Sequence, residues 1–129
     1  MTEYQPGVCN IGRSEQRRRS ALGALGLLAT LAVVLWVFAT DTSRLYLLVT
    51  AAPFFLVAEG FLQARSGFCP GFATAGIYDV SDDGGERQQV ADAEARAADR
   101  RRARRLHLHA AGLAALATGV VFFVGTLVP

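Results

Sequence analysis

The sequence predicts an all-α membrane protein with three transmembrane helices, a helical hairpin plus a third span, and a cytoplasmic polar and basic helix continuous with the third. Three observations carry this reading. The hydrophobic residues, 52% of the 129, are gathered into long blocks instead of being interleaved with polar ones. The first block, 21–39, contains no ionisable group and so has no polar face to offer water. As a helix it rises about 28 Å, close to the hydrocarbon thickness of roughly 30 Å. All 13 cationic side chains are arginine, and with three spans all but Arg44 fall on one side of the membrane. Arginine is held back on the cytoplasmic side during insertion, so the amino terminus is expected inside and the carboxyl terminus outside a cell membrane.

The elements follow in order. Segment 1–20 is polar, is broken by Pro6, Gly7 and Gly12, and ends in Arg17, Arg18 and Arg19. That run also suits the charged region of a signal peptide, twin-arginine type included. The apolar block after it, however, is longer than the roughly 7–15 residues of a signal core and ends Trp36, Val37, Phe38. An uncleaved transmembrane helix over 21–39 is therefore expected. The outer loop 40–44 is made of cap- and turn-forming residues, short enough to force a hairpin. The second span, 45–63, carries Pro53 near its middle, which predicts a kink there. Trp36 and Tyr46 fall at the outer boundary, where amphipathic rings are favoured.

Segment 64–80 is rich in glycine and phenylalanine and too short to span, so it is expected at the interface, with Cys69 preceding a short helix whose first residue is Pro70. In 81–105, Asp83 and Glu86 have the spacing of a capping box, which predicts a polar helix from there onward. Val90 is its only large apolar residue, and Asp92 and Arg96 stand at i and i+4. This helix reads as solvated and continues into the third span, 106–128.

Arg17, Arg18 and Arg19, with Arg100, Arg101, Arg102, Arg104 and Arg105, abut transmembrane starts and are expected to contact anionic lipid headgroups, at about 1 kcal/mol per arginine near the surface. The bilayer is thus the expected partner. Nucleic acid is not, because the run at 100–105 lacks interleaved aromatics. Glu59 is the only acid inside an apolar block, about 5 Å from the cytoplasmic end by helical rise, where it can snorkel or reach Gln63 one turn on. That shallow depth favours a structural role over a proton or ion site. Cys9, Cys69, His107 and His109 all fall at the cytoplasmic boundary. Such a set suits zinc or copper by chemistry, yet the cysteines are sixty residues apart and the histidines two apart on a helix, unlike the close pairs of known sites. No metal or cofactor is expected. Ala111, Ala115 and Gly119 in the third span, and Ser20, Gly23, Gly26 and Thr30 in the first, form small-residue faces suited to tight packing within the chain or to a homo-oligomer.

Cys9-Asn10-Ile11-Gly12-Arg13, then Gln16-Arg17-Arg18-Arg19 before a glycine-containing span, and later Gly67-Phe68-Cys69-Pro70 with Gly76-Ile77, resemble the YgaP-like transmembrane domain family over roughly residues 8–78. The resemblance implies a two-helix hairpin entered from the cytoplasm, sometimes fused behind a rhodanese sulfurtransferase domain, and points to Asn10, Gly12, Cys69 and Pro70. The basic helix and third span are departures from that pattern, as is the lack of a rhodanese domain. With no catalytic constellation, the expected function is that of a structural or accessory membrane subunit and not an enzyme. The alternatives are a thiol, sulfur-handling or redox protein using Cys69, and a small transporter or channel subunit using Glu59.

Overall fold

The computed structural model describes residues 3–129. Helix α1 (Arg13–Ala39) is followed by a tight turn and a 3-10 segment, Arg44–Thr50, that leads without a gap into α2 (Ala51–Ser66). A short helix, α3 (Pro70–Ala75), precedes two two-residue strands, β1 (Ile77–Tyr78) and β2 (Gln88–Gln89), which pair antiparallel. Helix α4 (Ala93–Leu127) closes the chain with 35 residues.

Three segments, Arg13–Ala39, Arg44–Ser66 and Ala93–Leu127, are long and apolar enough to cross a membrane. Only 22% of each apolar window is buried inside the protein, so most of its apolar surface points outward. Leu28, Leu116 and Phe123 are each more than 60% exposed. A water-soluble protein does not present apolar surface on that scale, whereas a bilayer solvates it.

The α1–α2 hairpin packs through glycine. A Cβ at Gly60 would lie 2.5 Å from the backbone N of Gly23, and one at Gly26 would lie 2.8 Å from the Pro53 carbonyl. Only hydrogen at these positions lets the backbones approach this closely, and dispersion between close-packed helices is what holds them in lipid. At the hairpin turn Trp36 and Tyr46 meet edge to face at 5.5 Å, and the Arg44 guanidinium lies 4.3 Å from the Phe38 ring centroid.

The structure corrects several expectations. Helix α1 begins at Arg13, so all of residues 13–20 are already helical. Pro53 lies near the middle of the second span, Arg44–Ser66, in the first turn of α2, directly after the chain changes from the 3-10 to the α form. Its ring conflicts with the carbonyl four residues earlier, and the chain upstream adopts the 3-10 form, in which Thr50 Oγ1 donates to the Leu47 carbonyl at 2.6 Å. The polar helix starts at Ala93 and not after Asp83. Residues 88–89 are held as a strand, the Val90 N–H donates to the Gly76 carbonyl at 2.8 Å, and Asp92 caps the helix by accepting from the N–H groups of Glu94 and Ala95. Asp92 is thereby committed to the cap, and Arg96 donates instead to the Val90 carbonyl at 3.1 Å. The run into the third span is unbroken.

The small-residue face by which α4 packs within the chain is also not the expected one. Ala111, Ala115 and Gly119 are exposed, and a Cβ at Gly119 would meet nothing within 4 Å. The inward face carries Ala103, Ala110, Ala114, Thr118 and Gly125, and a Cβ at Gly125 would lie 2.3 Å from a Leu47 methyl. On α1, by contrast, Gly23, Gly26 and Thr30 are buried as expected of a packing face.

Candidate functional site

The polar side chains gather at the arginine-bearing end of the bundle, where the N-terminal segment is threaded under the helices. Residues 9–12 run between the end of α2 and the strand following α3. The N–H groups of Asn10 and Ile11 both donate to the Gly67 carbonyl, at 3.0 and 3.1 Å. The Asp79 N–H donates to the Asn10 carbonyl at 3.0 Å, and the Gly12 N–H to the Asp79 carbonyl at 2.8 Å. Gly67 ends α2 in the left-handed region at φ +68°, which glycine adopts without strain. A Cβ at Gly12 would lie 2.4 Å from the Val80 and Ser81 carbonyls, so only glycine fits this crossing.

Asn10 is fully buried and clasps Cys69 from both sides. Its Oδ1 accepts from the Cys69 N–H at 2.7 Å, and its Nδ2 donates to the Cys69 carbonyl at 3.0 Å. These bonds fix Cys69 as the N-cap of α3, directly before Pro70, and the residue is 5% exposed. Asn10, Gly12, Cys69 and Pro70 therefore meet in one place.

A polar chain runs upward from this point. Arg19 donates through Nη2 to Cys69 Sγ at 3.3 Å and through Nε to Gln63 Oε1 at 3.0 Å, and its Nη1 lies 3.1 Å from Glu15 Oε2. The same guanidinium stands 5.5 Å from the Phe72 ring centroid, and that of Arg87 stands 4.9 Å from it. Gln63 Nε2 donates to Glu59 Oε2 at 2.6 Å, while the other oxygen of Glu59 meets His107 Nδ1 on α4. Glu59 thus joins α2 to α4 and does not reach out to solvent. Of the three arginines at the start of α1, Arg17 and Arg18 face outward, whereas Arg19 is turned into the protein.

A second polar anchor lies on α4. Asp99 is fully buried and accepts from the Tyr4 hydroxyl and from the Gly7 N–H, both at 2.7 Å. Tyr4 in turn stacks on Tyr78 with ring centroids 4.3 Å apart. The phenol of Tyr4 is held above its usual ionisation range, first by burial and then by its hydrogen bond to Asp99 and that carboxylate's charge. Burial likewise raises the Cys9 thiol, offset in part by its hydrogen bond to the Ile11 carbonyl. The basic half of α4 is thus not solvated all round, because Ala95, Asp99 and Ala103 are buried on one side. Asp99 and Glu15 were not among the candidates. Asp99 stands four residues from both Ala95 and Ala103, and that small-residue spacing is the one trace of its burial in the sequence.

Cys9, Cys69, His107 and His109 do not converge. Cys9 bonds the Ile11 carbonyl, Cys69 lies against Arg19, His107 against Glu59, and His109 lines a separate recess with Arg102 and Arg105. Among the described residues no three His, Cys, Asp or Glu side chains form a group able to hold a metal ion. Arg100, Arg101, Arg104 and Arg105 are exposed, and Arg102 is half-buried.

Fold and site together define a helical protein with three segments of membrane-spanning length and a hydrogen-bonded polar base. Comparison with family models, with curated proteins and with solved structures gives no match.

Proposed function

We propose that this chain is a multi-pass cell-membrane protein, amino terminus cytoplasmic and carboxyl terminus outside, that serves as a structural or accessory subunit. One observation carries the reading. The polar groups at the base are engaged with one another across α1, α2, α3 and α4, through Arg19, Gln63, Glu59 and His107 and through Asn10 with Cys69. Polar groups so arranged fix the relative positions of helices, and fully satisfied networks rigidify a fold. The exposed arginines on α1 and α4 supply the charge that keeps this end inside and in contact with anionic headgroups.

Two experiments test it. A reporter fused after Pro129 should be active only outside the cytosol, and activity in the cytosol overturns the topology. A photoreactive residue in place of the exposed Ala115 should crosslink in cells to a membrane polypeptide of one defined mass, a second copy included; adducts with lipid alone overturn the subunit role.

A second reading, sulfur transfer or redox chemistry at Cys69, rests on the contact that sets the Arg19 Nη2 donor against Cys69 Sγ. Rapid alkylation of Cys69 at neutral pH in the folded protein supports it, and protection until unfolding removes it.

A further inference from the structure

We infer that the groove between α2 and α4 is a binding site for one anionic phospholipid, with its phosphate at the basic base and an acyl chain along the apolar length. The inference rests on the membrane reading above and adds a defined site to it. A cavity of about 660 Å³ opens between the two helices, and its apolar walls include Phe54 and Phe61 from α2 and Leu113, Leu116 and Val120 from α4. Its volume is that of a ligand pocket. At the base Arg65 lines it, and Leu62 is shared with an adjoining recess formed by Ser66, Arg102, Arg105 and His109.

The two cavities form one amphipathic track. On α4 the positions 102, 105, 109, 113, 116 and 120 recur at three and four residues and therefore lie on one stripe, cationic or imidazole for the first three and apolar for the rest. Three arginines and a histidine converge at the mouth, and no acidic side chain lines either cavity. Elsewhere at this end the inward arginine has carboxylate company, Arg19 with Glu15. The Nε of Arg102, by contrast, is a buried donor with no hydrogen-bond partner among the described residues. Buried donors are nearly always met, and a rotation about the outer side-chain bonds would offer this one to a phosphate oxygen. A zwitterionic headgroup would bring its cation against the same arginines, which is why the charge selects an anionic lipid. Basic pockets between helices on the cytoplasmic side are suited to such headgroups.

The test uses the whole chain in mild detergent, exchanged into mixed vesicles of phosphatidylglycerol and phosphatidylcholine and examined by native mass spectrometry. One phosphatidylglycerol per chain should be retained in preference to phosphatidylcholine. Retention should fall by about 25-fold in the Arg102→Gln/Arg105→Gln double variant, roughly fivefold per arginine. Ala117→Trp, which fills the apolar length without touching the charge, should also expel the lipid. Arg100→Gln/Arg101→Gln removes the same charge from the headgroup-facing surface outside the groove and should lower retention by clearly less, about fivefold at most. Equal retention of both lipids, or equal loss in the two arginine pairs, overturns the site. The carboxyl-terminal reporter is read in the same variants, so a failure of topology is seen separately from a failure of lipid binding.

Discussion

Replacing Asn10 with alanine removes a fully buried amide that satisfies both backbone groups of Cys69. The Cys69 carbonyl also accepts from the Ala73 N–H at 3.1 Å in the first turn of α3, whereas the Cys69 N–H depends on the Asn10 side chain. Leaving that buried donor unmet costs about 1–3 kcal/mol, the carbonyl loses the second of its two bonds, and the amide leaves a small void besides. A loss of about 3 kcal/mol is expected, partly relieved if water enters. At that size the thermal midpoint in mild detergent should drop by on the order of 10 °C. Local opening that exposes Cys69 should become about 100-fold more frequent. Both quantities are measurable in a Cys9→Ser background, the second as the maleimide labelling rate of the single remaining thiol, on a residue 5% exposed in the fold. Asn10→Asp separates bonding from shape. It keeps the acceptor for the Cys69 N–H but sets a second oxygen against the Cys69 carbonyl, so its defect should shrink on acidification, when the carboxyl becomes a donor. An Asn10→Ala variant with unaltered midpoint and labelling would refute the view that this clasp holds the base together.

Gly60→Leu should drive α1 and α2 apart, because a Cβ there lies 2.5 Å from the Gly23 backbone N. Gly112→Leu, where nothing lies within 4 Å, should leave the detergent melting curve nearly unchanged. The docking of the N-terminal segment should fail in alkali: the Tyr4 phenol titrates higher folded than unfolded, so its contribution is intact below about pH 10 and lost as pH rises through the folded value. Proteolysis of residues 3–9 followed against pH detects this, and Tyr4→Phe should abolish the tyrosine-linked step. Glu59→Gln keeps an oxygen for the Gln63 Nε2 donor and turns its NH2 toward His107 Nδ1, a ring nitrogen able to accept, and should cost about 1 kcal/mol or less, whereas Glu59→Ala should cost more, both read by thermal unfolding. Proton flux in proteoliposomes that disappears in Glu59→Gln would instead make this carboxylate functional.

The three long apolar segments were legible because their signal is summed over some twenty residues, and the hairpin because residues 40–44 leave no room for anything else. The start of α3 at Pro70 was legible from proline chemistry alone. The base was harder to read for reasons that residues make plain. Asp83 and Asp92 are equally good helix caps, and the choice falls to Asp92 only because Gln88–Gln89, which has no strand pattern of its own, pairs with Ile77–Tyr78. Asp99 is buried by Tyr4 and Gly7, more than ninety positions away, a distance over which local pattern carries nothing. Alanine occupies so much of α4 that both of its sides look fit for close packing, and only the seating of Leu47 at Gly125 tells which side faces in. Arg19 differs from Arg17 and Arg18 by its azimuth on α1, which becomes meaningful once α2 brings Gln63 opposite.

The uninterrupted course of α4 has a mechanical result. Its 35 residues make a rod about 52 Å long with no proline to act as a hinge. Stiffness couples the two ends: a tilt of its arginine-bearing half is carried along the rod to the seat of Leu47 against Gly125, near the other end.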